Sequence, residues 1–206
     1  MILNTSKRLL AGFALLALTS MATHAAPMEV AGVKFDDTAH VANTDLKLNG
    51  AGIRYKAIFK VYAAALYLKD KKTTVPDVLA TTGPRRVAIV MLREVSSDEF
   101  GDGFISGIQK NTDKAEKIKL TSQFLRLGEL FASVPLLKKG DIILTDWIPG
   151  VGTIFYLNGK KVGEPYPDIV FNNALMRIWL GEKPVDSSLK KAMLAPEATE
   201  DRSSYR

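Results

Sequence analysis

The longest unbroken apolar run after the N-terminal region is 61–68, VYAAALYL, interrupted only by two tyrosine hydroxyls. Lys56 and Lys60 precede it and Lys69-Asp70-Lys71-Lys72 follows it. At eight residues the run is far short of the ~20 apolar residues a membrane-spanning helix needs. A buried strand and a buried helix both fit such a run, and periodicity alone does not separate them. Ala63 to Ala65 favour a helix by propensity, whereas Val61, Tyr62, Tyr67 and the preceding Ile58-Phe59 suit a strand. Ahead of the run, 29–35 alternates weakly and reads as a first strand. Asp36-Asp37-Thr38 reads as a turn, and 42–48 as a second strand entering a Gly50-Ala51-Gly52 turn.

Beyond the run the pattern alternates between the two periods. Residues 75–81 read as a short helix with Thr74 as N-cap and Pro76 in its first turn, closed by Gly83-Pro84. RVAIVMLR (86–93) is rich in branched apolar residues and reads as a strand. Ser96-Ser97-Asp98-Glu99 has the form of a capping box, with Ser96 and Glu99 satisfying free backbone donors. The helix it opens runs to about Asn111 and buries Phe100, Phe104 and Ile108, which recur every four residues. KAEKIK (114–119) reads as a charged, exposed connection. Leu120, Phe124, Leu127, Phe131 and Val134 then form one helical stripe. Strands are expected at 141–148 and 152–157 around Pro149-Gly150, with Asn158-Gly159 as a hairpin turn into a strand at 160–163. Helices at 167–180, stopped by Gly181, and at 186–194 complete the series.

Strands cluster early and again in the middle, and hairpins join them. This is an α+β arrangement, a sheet with helices on one face. Residues 1–25 have the pattern of a secretory signal peptide: Lys7-Arg8, an apolar core from Leu9 to Leu18, and a Thr23-His24-Ala25 cleavage site. Export to the periplasm follows as an expectation, with 26–195 as one domain and 196–206 as a polar, disordered tail. Losing the leader removes Lys7, Arg8 and no acidic residue, so the net charge falls from +6 to +4. That mild positive charge gives no reason to expect nucleic acid as a partner. The chain has no cysteine, which excludes thiol nucleophiles and Cys-based metal sites. His40 is the one histidine outside the leader, so any Ser-His-Asp triad would have to use it. The glycine turn is not a phosphate loop, because no Gly-Lys-Ser/Thr follows it.

LNGAGIR, a short spacer and VYAAALYL together resemble the LGGAG-x-R … KFTAIGVYL segment of the chalcone isomerase fold, in particular its bacterial exported, chalcone isomerase-like branch. The likeness extends from about Val30 to about Leu194 and includes MRIWLGE (176–182), Pro184 and the last helix. It implies an open-faced β-sandwich: a large antiparallel sheet covered on one face by helices, with a ligand cleft between the layers. Arg54, 62–66 and the helix opening at Ser96 would line that cleft.

The resemblance also implies a site, position by position. Plant isomerases of the family use the arginine of GAG-x-R, which is Arg54 here, and a threonine in the next strand, where Tyr62 stands. Their tyrosine, lysine and asparagine on the first cleft helix fall on Phe100, Gly103 and Gly107. Their polar residue on the C-terminal helix falls on Ile178. Closing a phenol onto an enone requires stabilisation of a developing enolate, and most groups that would supply it are exchanged here for Phe, Gly and Ile. No catalytic residue, metal site or cofactor is therefore assigned.

An arginine among apolar walls suits an amphipathic anion. A fatty-acid carboxylate would pair with Arg54, with Tyr62 or Tyr67 sharing it. The tail would lie on Ala63, Ala65, Phe100 and Phe104. On a strand, Tyr62 and Tyr67 point to opposite faces, so one of them at most meets Arg54. Two other readings stand beside this one: an intramolecular lyase acting on an unsaturated carbonyl compound, and an envelope protein whose cleft is filled by its own side chains. Arg54 could equally serve the fold by tying the glycine turn to Asp45 or Asp141. The lysine runs at 69–72 and 138–139 offer weak contact with an anionic membrane surface.

Overall fold

The computed structural model describes residues 27–134 and 136–194; the segments read as a leader and a tail lie outside the described residues. Among the described residues, eleven strands and six helices follow in chain order: β1 Met28–Val30, β2 Val33–Phe35, β3 Thr38–Val41, β4 Thr44–Lys56, β5 Phe59–Leu68, α1 Val75–Leu79, β6 Arg85–Met91, β7 Val95–Ser96, α2 Ser97–Lys110, α3 Lys114–Lys119, α4 Thr121–Ala132, β8 Leu136–Leu137, β9 Ile142–Ile148, β10 Gly152–Leu157, β11 Lys160–Tyr166, α5 Ile169–Leu180 and α6 Ser187–Met193.

Seven strands form one antiparallel sheet in the order β11-β10-β9-β6-β5-β4-β3, with helices packed against it. This is the α+β sheet-and-helix layering expected from the sequence. The 61–68 run resolves as a strand. Its residues are at most 4% exposed because both faces of β5 are covered, which is why the run is apolar throughout rather than alternating. Tyr62, Ala64, Leu66 and Leu68 face the helices. Ala63, Ala65 and Tyr67 face a smaller cluster with Phe35, Val41 and Leu46 beneath the β1–β2 hairpin.

Several expected elements appear as read. Thr74 caps α1 through its hydroxyl, Ser96 caps α2 by accepting from Glu99 N at 3.2 Å, and Phe100, Phe104 and Ile108 are buried. The stripe on α4 packs inward, and Asn158 and Gly159 take the left-handed conformations of a tight hairpin.

Four readings change. The Gly50-Ala51-Gly52 segment is no turn but the middle of the 13-residue β4. None of its residues has positive φ; the glycines are there because α6 crosses them. The first strand is two short strands, split by left-handed Ala31 and Gly32. The 114–119 connection is exposed but helical, capped by Asp113, whose Oδ1 accepts from Glu116 N at 2.8 Å. The capping box is half made: the Glu99 carboxylate leaves the backbone and pairs with Lys56 Nζ at 2.9 Å.

α6 lies on β4 and β5, α5 packs against α2, α6 and β10, and α2 is held between α4 and α5. A bulge in β4 between Leu48 and Gly50 swings Asn49 out of the ladder. Its side-chain amide donates to Met193 O at 2.7 Å and to Lys72 O at 2.9 Å, and its oxygen accepts from Lys72 N at 2.7 Å. This clasp fixes the end of α6 to the sheet.

Candidate functional site

The register of β4 and β5 puts Arg54 directly opposite Tyr62, so both stand on the helix-facing side. The Arg54 guanidinium carbon lies 5.4 Å from the centroid of the Tyr62 ring. Across the gap, on α2, Gly103 presents no side chain; a Cβ built there would sit 4.0 Å from Arg54 Nη2 with nothing nearer. Gly103→Ala is accordingly expected to raise stability by about 0.5–1 kcal/mol, the usual gain for replacing an unconstrained helix-interior glycine. Gly107→Ala should lower it, because a Cβ there would meet Ile178 at 3.0 Å. Urea denaturation of the two variants checks the contrast.

The Nε of Arg54 is buried without a hydrogen-bond partner. No carboxylate among the described residues pairs with Arg54 within 4.0 Å. The two suggested structural partners are engaged elsewhere. Asp45 Oδ1 bonds His40 Nδ1 at 2.8 Å on the exposed β3–β4 edge, while Asp141 accepts from Lys138 N and Asn158 Nδ2. His40 is thereby placed outside this site.

Tyr62 is 1% exposed, and its hydroxyl oxygen accepts from Trp179 Nε1 at 3.0 Å. Burial pushes its phenol pKa above the ordinary value, opposed by the nearby Arg54 charge and the Trp179 bond. The phenol is therefore protonated at neutral pH, and its own hydrogen has no acceptor among the described residues. A half-buried guanidinium and an uncommitted O–H thus stand side by side.

Above Tyr62 the rings of Phe100, Phe104, Phe131 and Trp179 close over one another, with centroids 4.7 Å apart for Phe100–Phe104, 5.3 Å for Phe104–Phe131 and 5.5 Å for Phe104–Trp179. Beyond Phe131 lies a narrow apolar crevice of about 20 Å³ between α4 and strands β9 to β11, lined by Leu130, Ile143, Phe155 and Leu157 among others. Arg54 and this crevice are separated by the four interstrand steps from β4 to β10, roughly 19 Å at ~4.8 Å each.

Of the residues expected to bind ligand, Arg54, Tyr62, Phe100 and Phe104 come together. Ala63, Ala65 and Tyr67 do not. Strand alternation puts them on the opposite face, and Tyr67 donates its hydroxyl to Asp36 O at 3.0 Å. Ala64 and Leu66 take their place on the cleft side. The six positions carried over from the plant isomerases also converge: Gly103 faces Arg54, Gly107 faces Ile178, and Phe100 packs on Tyr62. What they hold is apolar. Arg54 and the buried Tyr62 are the polar groups left at those positions. Trp179 and Phe131 were missed as site residues because each reads as one more apolar position on a helical stripe.

Fold and site define an α+β protein with a seven-stranded main sheet, a helical cover and an arginine at the seam. The chain belongs to the chalcone isomerase-like family, whose model matches residues 27–195. Among solved structures it is similar to a fatty-acid binding protein of Arabidopsis thaliana, with 15% identity and a TM-score of 0.58 over 79% of this chain and 92% of that one. Comparison with curated protein sequences finds no match.

Proposed function

We propose that this protein binds a fatty acid or a similar hydrophobic anion without transforming it, working in the periplasm after export by its leader. The observation that carries this reading is Arg54: a half-buried cation, its Nε unpartnered, no carboxylate among the described residues paired to it, and an unspent Tyr62 proton alongside. A half-buried charge without a paired carboxylate is incompletely compensated, and an anionic headgroup would supply that pairing. The acyl tail would displace the Phe100–Phe131 contact and run toward the apolar crevice, a span suited to a long chain rather than a short one. The similarity to a plant fatty-acid binding protein supports the reading.

The packed aromatic cluster favours a second reading, in which the cleft is permanently filled and the protein serves as an interaction module of the envelope. An isomerase reading retains Arg54 and a tyrosine, but that tyrosine's hydroxyl oxygen is already engaged by Trp179.

Native mass spectrometry of the purified protein, followed by organic extraction and titration with hexadecanoate, separates these readings. A co-purifying acyl species is expected. Arg54→Ala should keep the fold, because the side chain is only half-buried and forms no ion pair among the described residues, and should weaken binding by about 10- to 100-fold, the worth of one charge-assisted contact. Gly103→Leu should weaken it too, by occupying the space in front of the guanidinium while leaving the charge intact. Equal affinity in wild type and Arg54→Ala would sink the proposal, and an empty protein that refuses added fatty acid would move the weight to the filled-cleft reading.

A further inference from the structure

The β4–β5 hairpin carries apolar side chains where a hairpin normally carries turn residues. Ile58 is 84% exposed, Phe59 57% and Tyr55 40%, at a tip where Ala57 holds a left-handed φ of 53°. That conformation favours Asn or Gly, and this chain uses Asn158-Gly159 for its β10–β11 hairpin. The tip also stands clear of the sheet. β5 joins β6 only from Tyr62 onward, so Phe59 and Lys60 pair with β4 alone. Cations flank it, beside the carboxylates of Asp186, which accepts from Tyr55 N, and Glu99. Arg93 lies with its guanidinium carbon 5.5 Å from the Phe59 ring centroid, and neither Arg93 nor Lys60 forms an ion pair among the described residues. Lys56 is tied to Glu99, whose carboxyl pKa is held down by Lys56 and, more weakly, by Arg93 and Arg54.

We infer that this tip docks the protein on the surface of a phospholipid bilayer bearing anionic headgroups, with Ile58 and Phe59 inserted and Lys60 and Arg93 at headgroup level. Three observations select a bilayer over a protein partner. The two side chains supply on the order of 300 Å² of apolar surface, against ~800 Å² per side for a stable protein interface. The tip is convex and projects by about two residues, ~7 Å, which matches the 5–10 Å depth of interfacial insertion. The unpaired cations complement anionic lipid headgroups. No helix among the described residues is long and apolar enough to cross a membrane, so attachment through this tip is peripheral. The tip begins one residue beyond Arg54, so docking would bring the proposed anion site to the lipid surface, although the inference does not depend on that site being occupied.

The test is flotation of the protein, its N-terminus verified by mass, with vesicles of phosphatidylglycerol and phosphatidylethanolamine, and in parallel with vesicles of phosphatidylcholine alone. The wild type should float with the anionic vesicles. Ile58→Ser combined with Phe59→Ser should cut partitioning at least tenfold with an unchanged melting curve, since both side chains are exposed. Lys60→Glu with Arg93→Glu should abolish the preference for anionic lipid. A Phe59→Trp variant should be quenched by lipids brominated near the headgroup. Wild type that stays unbound, a double serine variant that binds as well as wild type, or an unquenched Phe59→Trp would each overturn the inference; the last two would place any membrane contact elsewhere. Hexadecanoate affinity is measured on the same variants without vesicles, so failure of docking and failure of anion binding are read separately.

Discussion

Trp179→Ala is expected to cost about 4 kcal/mol of folding stability, within the 3–5 kcal/mol range for deleting a buried large aromatic. Trp179 is fully buried on α5, its ring edge-on to Phe104 at 83° and its Nε1 donating to Tyr62. Two losses combine in this variant. The void left by the indole removes dispersion contacts from Phe104 and its neighbours, and the Tyr62 hydroxyl loses the Trp179 donor in a site that water reaches poorly. Trp179→Phe separates the two losses: it keeps most of the ring volume and should cost about 1–2 kcal/mol, the price of the orphaned hydroxyl. Combining Trp179→Phe with Tyr62→Phe removes both polar partners and should therefore cost less than the sum of the single changes. Equilibrium urea denaturation gives these values. For a domain whose total stability is of order 5–15 kcal/mol, the alanine variant should still fold but melt markedly earlier. If the aromatic cluster is what an acyl tail must push aside, the folded fraction of Trp179→Ala should also bind hexadecanoate more tightly than wild type. If stability falls with no change in binding, the cluster is only core.

Sequence patterns revealed local structure well where the chain obeys one rule at a time. Thr74 and Ser96 are caps whose side chains sit beside free backbone donors, and Asn158-Gly159 is a turn whose backbone preference is intrinsic. The α4 stripe is legible because one face is wet and the other dry. The 61–68 run was ambiguous for a physical reason: a strand buried on both faces loses the alternation that marks strands, and here the second cover is the β1–β2 hairpin, supplied by sequence distant from the run.

The site was legible in part. Arg54, Tyr62, Phe100 and Phe104 could be joined because a family resemblance supplied the pairing. Face assignment for Ala63, Ala65 and Tyr67 required the strand register, which was unknown while helix and strand were both open. The Glu99 carboxylate shows a different limit. Its capping role was inferred from spacing alone, but an ion partner 43 residues earlier in the chain competes for it and wins. Local motifs state what a side chain can reach, and tertiary structure decides which of those options it takes.

The same limit governs the glycines of LNGAGIR, and it leads to the second large effect: Gly50→Ala should destabilise the protein by about 3–4 kcal/mol. Strand propensity alone points the other way, since glycine weakens a strand interior and alanine should help. Gly50 also has an ordinary φ, so conformational strain is not the reason. The reason is α6. A Cβ on Gly50 would collide with the carbonyl oxygen of Ala192 and come within 3.0 Å of Met193 O. Both are backbone atoms, so no rotamer change relieves the contact. Relief would require lifting α6, which would break the Asn49–Met193 bond and partly expose Leu189 and Met193, both fully buried and each worth roughly 1.5–3 kcal/mol when fully buried. Gly52 presents a related but softer obstacle, because a Cβ there would meet the Ala192 Cβ at 2.7 Å and the Leu189 Cδ1 at 3.2 Å. Gly52→Ala should therefore cost less, about 1–3 kcal/mol, and Ala192→Gly should rescue it by removing the nearer atom. The same Ala192→Gly change should fail to rescue Gly50→Ala, whose obstacle is the main chain. Rescue of both would mean that α6 shifts freely on the sheet. Rescue of neither would mean that the glycines serve something other than this crossing. The expected asymmetry would establish close helix–strand packing as the reason for the motif. Because Asp186 at the start of α6 accepts the Tyr55 N–H at 2.9 Å, next to Arg54, a lifted helix should also loosen the proposed anion site.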